Sequence, residues 1–294
     1  MHPLRILGSS AVFLGLCAFC SPARATFSIV AAEASTGTLG SVGASCVPYE
    51  VIRILAVAQG KGLLVAQANF DDNALAQGQS MLAAGELPAS VLATITDATK
   101  FPPAPKMQYG IVDIAGKTAS YTGPDAFAYA GDKAGEINGI AYTVQGNILT
   151  GPTVLEQMAA TMAEGCDLPE RIMRGLEGAG FQGGGDSRCT DGGISAASAY
   201  ILVEEKGQTI LRISLPDTRP NDPIAQLRTQ FDAWRMSHPC PTTEPIDAGS
   251  TTGGNPEMTP GCSMSRTQST ETLGYWILAV IATLGIRRRP RQTA

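Results

Sequence analysis

The feature that most constrains this chain is a junction near its amino end. Residues 1–25 carry a basic residue at Arg5, an apolar stretch from Ile6 to Phe19 and the small-x-small sequence Ala23-Arg24-Ala25. These are the three parts of an export signal cut by signal peptidase. A β-like run, Thr26-Phe27-Ser28-Ile29-Val30-Ala31-Ala32-Glu33, begins at the next residue. Cutting after Ala25 makes Thr26 the first residue of both the mature chain and a strand. A free α-amine beside a threonine hydroxyl can take its proton and activate it as a nucleophile. The ordinary α-amine pKa of about 7.7–8.0 leaves a useful neutral fraction near pH 7. The bland alternative is a threonine that merely follows the cut. An alternative cut after Ser21-Pro22-Ala23 would leave Arg24 first and displace the amine from Thr26. No twin arginine precedes the apolar stretch, which favours secretion in the unfolded state. Leu16 and Phe19 are too large for a lipoprotein site at Cys17 or Cys20.

The carboxyl end has its own signal. Gly261-Cys262-Ser263 is followed by a polar spacer, an apolar run from Leu273 to Ile286 and Arg287-Arg288-Arg289-Pro290-Arg291. The run falls short of the roughly 20 residues a spanning helix needs, and the arginines belong on the cytoplasmic side. This tail resembles the MYXO-CTERM sorting signal of myxobacteria and related bacteria. The resemblance implies processing by a sorting protease near Cys262 and attachment to the cell surface through that cysteine. Residues 237–260, rich in Pro, Gly, Ser and Thr, read as a linker that cannot bury a core. The expected order is therefore signal peptide 1–25, folded domain 26–236, linker 237–260 and sorting tail 261–294. The leader holds two arginines, and the tail five arginines against one glutamate. The formal charge of −5 for the whole chain thus becomes −11 for the part between them. So acidic a domain is no nucleic-acid binder, which needs basic patches. Four cysteines remain there: Cys46, Cys166, Cys189 and Cys240. In an oxidising periplasm or cell surface they suit two disulfides, with three connectivities open. The competing zinc site lacks any short Cys-x-x-Cys spacing.

Strand signals run over 27–33 and 37–45, then 51–58 and 63–68 around Gln59-Gly60-Lys61-Gly62. Helical patterns cover 74–82 and 88–98, with Asp71-Asp72-Asn73 before the first. That acidic trio reads as a cap on free backbone N–H groups rather than a metal site. A hairpin over 108–114 and 118–122 and a strand over 139–144 follow, then helices over 153–164 and 169–177. Strands over 195–204 and 208–215 precede a last helix with Ile224, Leu227, Phe231 and Trp234 on one face. Blocks of strands and helices in this order predict an α+β fold of antiparallel sheets covered by helices.

Histidine is the most informative absence. The two present are His2, in the leader, and His238, in the linker. A Ser-His-Asp or Cys-His mechanism therefore has no base in the domain, and the Thr26 amine is the base available to a hydrolase. Gly178-Ala179-Gly180-Phe181-Gln182-Gly183 matches a dinucleotide fingerprint by letter, but it follows a helix instead of a strand, so no cofactor is implied. Asp186 and Arg188, in a glycine-rich loop, read either as substrate contacts or as a local ion pair. Asn147 closes Gln145-Gly146-Asn147 at the end of an expected half-buried strand. It is an oxyanion donor candidate or a turn residue satisfying its own backbone.

Thr26 to Ala32, Gln67-Ala68, Gly110 to Asp113, Val144 to Pro152, Gly184-Gly185-Asp186-Ser187-Arg188 and Asp222-Pro223-Ile224 together resemble the bacterial and archaeal family called domain of unknown function 1028. The resemblance covers nearly all of 26–235. It implies a four-layer αββα sandwich of the N-terminal nucleophile hydrolase kind, with Thr26 as nucleophile. It also implies a link to peptidoglycan, through a domain that neighbours it in some members. The expectation is a surface-anchored or periplasmic amidohydrolase that acts on a small-molecule or peptide amide, with no cofactor and no metal. The tail gives it contact with the membrane. The alternative is a non-catalytic surface binding or structural protein on the same fold.

Overall fold

The computed structural model describes residues 26–241; the expected signal peptide, the sorting tail with Cys262 and most of the linker lie outside them. Two antiparallel sheets make up the mixed α+β fold. The larger has the order β10-β9-β2-β1-β8-β7, with β1 Thr26–Glu33, β2 Thr38–Ser45, β7 Gly131–Ile137, β8 Ile140–Asn147, β9 Ser198–Glu205 and β10 Gln208–Leu215. The smaller runs β3-β4-β5-β6, with β3 Leu55–Ala58, β4 Gly62–Ala68, β5 Met107–Asp113 and β6 Thr118–Thr122. The α-helices are α1 (Asp72–Ala83), α2 (Pro88–Ile95), α3 (Thr153–Thr161), α4 (Leu168–Gly178), α5 (Ser187–Thr190) and α6 (Pro223–Arg235).

Alternation along β1 shows how the layers form. Phe27, Ile29 and Ala31 join a core with α3, α4 and α6, whereas Val30 and Ala32 join one with Leu63, Val65 and Val112 of the smaller sheet. Leu64, Ala66, Tyr109 and Ile111 face the other way, into a third core with α1 and α2. A strand with a period of two and both faces covered reads as a continuous apolar run, as β1 does. Gly40 on β2 lets α4 come close: a side chain there would collide with Leu168 and Ile172.

Most expected elements are present, and the departures have physical reasons. Asp71 caps α1, accepting from the N–H groups of Asn73 and Ala74, as the cap reading required. Residues 51–58 are not one strand. Val51–Ile54 form a 3₁₀ turn that sends Val51, Ile52 and Ile54 into one core, whereas a strand would send Val51 and Ile52 to opposite faces, and only Leu55–Ala58 pair. Strand β7, Gly-Asp-Lys-Ala-Gly-Glu-Ile, has no apolar alternation to announce it. It is an edge strand held by its backbone register with β8. The expected half-buried strand ending at Asn147 is buried throughout.

Cysteines pair as Cys46–Cys189 and Cys166–Cys240, one of the three open connectivities. Such pairs form and persist in oxidising compartments. The second ties Cys240, at the start of the expected linker, back to the loop before α4. Among the described residues no helix is long and apolar enough to cross a membrane.

Helices α4 and α6 are also joined by charge. Arg228 donates to Glu177 at 2.7 and 2.9 Å and to Glu170 at 3.1 Å, and Arg235 pairs with Asp167. Burial pushes the Glu170 carboxyl up, but Arg228, seconded by Arg174, outweighs it and holds the group below its ordinary value. A carboxyl so depressed contributes stability that is complete above its unfolded pKa of about 4.3 and lost as pH falls through the lower folded value. Arg228→Met is expected to cost about 2 kcal/mol at pH 7. It should also lose less stability than the parent between pH 5 and 3, as read by urea unfolding.

Candidate active site

The site is built on the first residue of the central strand. Thr26 pairs with Asn147 of β8 and lies one position beyond the Phe27–Ala44 pair of β1 and β2. Its hydroxyl donates to Ser45 Oγ at 3.3 Å. The three side chains therefore stand in a row across β2, β1 and β8, on the face toward the smaller sheet. Thr26 is 3% exposed. In the full chain its nitrogen is a peptide amide.

Beneath this row lies a layer of buried amides and hydroxyls. Gln67 of β4 donates to the Thr26 carbonyl at 3.1 Å and to Gln108 Oε1 at 3.2 Å. Asn147 Nδ2 donates to the same Oε1 at 2.9 Å. Gln108 Nε2 reaches the Gly146 carbonyl at 2.8 Å and Thr122 Oγ1 at 3.0 Å. Ser28 donates to Gln67 and accepts from Gln145, each at 2.7 Å. Room for Gln145 comes from Gly110 on β5, where a Cβ would strike the Gln145 and Thr143 side chains. Asn147 Oδ1 is buried with no partner, an acceptor left open in the register position opposite Thr26.

Two backbone positions beside the site are held in the left-handed region. Ala68 has φ +69° and Ile148 has φ +51°, costly for L residues and most of all for a β-branched one. Ile148 is fixed by its N–H to the Phe127 carbonyl at 3.0 Å, and its own carbonyl accepts from the Ser187 backbone at 3.0 Å. Such outliers survive where surroundings over-determine them and cluster at functional sites.

Asp186 and Arg188 form the local ion pair weighed from the sequence, at 2.8 Å. The Asp186 carboxylate is buried. It also accepts the Cys46 N–H at 2.7 Å and caps the Arg188 N–H at 3.1 Å. With the Cys46–Cys189 disulfide it anchors the segment that carries Ser45 beside Thr26. His238 stacks on Trp234 in a groove shared with Glu33 at the other end of β1. That is roughly 23 Å away for eight residues at about 3.3 Å each.

A cleft opens on Thr26, Ser45 and Gln67. Its walls are Val47, Val51, Ile54, Ala68 and Phe70, with Tyr49 and Arg53. It holds about 10 Å³, about one water. None of the described residues lining it is a carboxylate, histidine or lysine. Sequence reasoning singled out Thr26 and Asn147, which the structure sets side by side as register partners. It missed Ser45 as the hydroxyl partner, Gln108 as the hub and Arg53 as the cleft's charge, because register and inter-sheet contact alone bring them together.

Fold and site define a class: an α+β domain of two antiparallel sheets with a threonine buried at the first position of the central strand. The chain belongs to the family of unknown function DUF1028, whose model matches residues 26–228. It is similar to the crystal structure of protein SPO2555 from Silicibacter pomeroyi, which carries the same family model. The two are 19% identical with a TM-score of 0.58, over 72% of this chain and 89% of that one. At that identity the likeness shows the fold alone. An Anbu (Gly-1) mutant from Hyphomicrobium sp. strain MC1 matches at 8% identity and a TM-score of 0.38, over 72% of this chain and 94% of that one. No curated protein matches the chain.

Gln108→Leu keeps the side-chain volume but leaves Gln67, Asn147 and the Gly146 carbonyl short of partners. It is expected to destabilise the fold by on the order of 3 kcal/mol, seen as a lowered denaturant midpoint with an unchanged m-value.

Proposed function

We propose that this protein is a secreted N-terminal-threonine amidohydrolase, activated by removal of residues 1–25 and tethered to the cell surface through its carboxyl tail. One observation carries the reading: Thr26 sits at the head of the central strand, in a cleft whose described lining offers no carboxylate, histidine or lysine as base. A base supplied by Thr26 itself fits that lining. Three cores separated by two sheets support the four-layer αββα architecture of N-terminal nucleophile hydrolases as the fold we assign.

In this mechanism the neutral Thr26 amine takes the hydroxyl proton while Oγ attacks an amide carbonyl carbon. The amine then gives that proton to the leaving nitrogen as the C–N bond breaks, and water hydrolyses the remaining ester. Asn147 is the oxyanion donor: one of its two amide N–H bonds goes to Gln108, and the second serves the developing charge. Asp186 acts indirectly, by holding Cys46 and so Ser45 in place. Substrate entry needs movement of the wall at Tyr49, because the cleft is water-sized.

That narrowness favours a second reading, a surface binding protein that keeps the fold without turnover. Mass spectrometry of the native amino terminus and an amide and muropeptide panel separate the two. With Thr26 as first residue, kcat/KM should rise with pH through about 8 as the amine loses its proton. Thr26→Ala should lower turnover by about a thousandfold or more with folding intact. A chain starting at Arg24 in its native state, or unchanged turnover by Thr26→Ala, rules the mechanism out.

A further inference from the structure

The cleft that leads to Thr26 is apolar on most of its wall, and a single charged side chain lines it among the described residues: Arg53. In a domain with a formal charge of −11 between leader and tail, a lone cation at the mouth of this cleft runs against the overall field. We infer that Arg53 binds a carboxylate on the substrate. This makes the preferred substrate of the Thr26 site a peptide or N-acyl amino acid whose free carboxylate lies near the scissile amide. The inference rests on the proposed function for its location and goes beyond it in naming a substrate class.

The geometry supports a binding role for this guanidinium. It sits between two rings that also line the cleft, its Cζ 5.0 Å from the Phe70 centroid and 5.8 Å from that of Tyr49. Stacking on rings fixes the plane of a guanidinium at little entropic cost and leaves its N–H edge to point elsewhere. Its carboxylate neighbour on the protein is Asp72, at 3.9 Å, with the two side chains 46% and 80% exposed. A pair so long and so wet contributes little, and a substrate carboxylate can replace it. Asp72 also begins α1, where the helix dipole holds it without Arg53.

A single guanidinium fork matches the two oxygens of one carboxylate. A phosphate dianion would leave one of its two charges unanswered, because Arg53 is the one cation among the described lining residues. The rest of the wall, with Val47, Ile54 and Phe70, then takes an apolar side chain beside that carboxylate.

The test uses the protein starting at residue 26 with Thr26→Ala, so that probes bind without turnover. N-acetyl-alanyl-leucine and its C-terminal carboxamide are titrated by ligand-observed NMR. The free acid is expected to bind about fivefold or more tighter than the amide, and the ratio should shrink as salt is raised. Adding Arg53→Gln should bring the ratio to about one, and Arg53→Lys should restore part of it. Retained helicity by circular dichroism shows that both variants fold. Equal binding of acid and amide, a ratio unmoved by Arg53→Gln, or binding of neither probe overturns the inference. Charge-selective binding that depends on Arg53, in a protein whose Thr26 form hydrolyses neither probe nor any amide in the panel, upholds it and overturns the amidohydrolase reading instead.

Discussion

The buried amide layer between the sheets is the interaction on which the remainder of this structure depends. Apolar strand faces attract without direction, so two covered sheets can slide past one another at little cost. Gln67, Gln108 and Asn147 remove that freedom because each must place donors or acceptors within about 3 Å of partners on the opposite sheet, while Gln145 braces Ser28 within the larger sheet. The Gln67 bonds to the Thr26 carbonyl and to Ser28 lock the head of β1 against β4, and Gln108 locks the end of β8 against β5. The polar groups gather at this end, while Val30, Ala32 and Leu39 fill the same interlayer further along. One end of the interlayer is thus specified by hydrogen bonds and the other by packing.

A second ring of constraints surrounds that layer. The Cys46–Cys189 disulfide, the Asp186 carboxylate and the left-handed turn at Ile148 converge on the ends of β2 and β8, the strands that flank Thr26. The buried carboxylate and the left-handed β-branched residue would each be costly alone. Asp186 is buried but answered by Arg188 and two backbone N–H groups, and Ile148 is held by hydrogen bonds on both sides. Together they fix the Thr26 hydroxyl relative to Ser45 and Asn147. This places rigidity at Ser45 and Asn147.

Much of this was legible in the residues. The run from Thr26 to Glu33 announced a strand, Asp71 announced a cap, and the helical spacing of Ile224, Leu227 and Phe231 announced a buried face. Strand β7 was invisible because Gly131, Asp132, Lys133 and Glu136 carry no apolar rhythm; its pairing is a property of the β8 edge. Val51–Ile54 looked like a strand because β-branched residues favour one, and packing of three neighbouring side chains into one core overrode that preference. Gln67 and Gln108 stand 41 residues apart, and no local pattern connects them.

The sequence by itself determined what chemistry is available: a threonine behind an Ala-x-Ala site, a domain with no histidine before its linker, and four cysteines between the two terminal segments. These are matters of composition and local order, and they hold whatever the chain folds into. Tertiary structure alone decided which of three disulfide connectivities forms, that Asn147 stands opposite Thr26, that Asp186 answers Arg188 and Cys46, and that Arg53 reaches the Thr26 cleft. Those facts depend on strand register and on two sheets meeting face to face, where residues far apart in the chain come within bonding distance and local sequence carries no record of the partner.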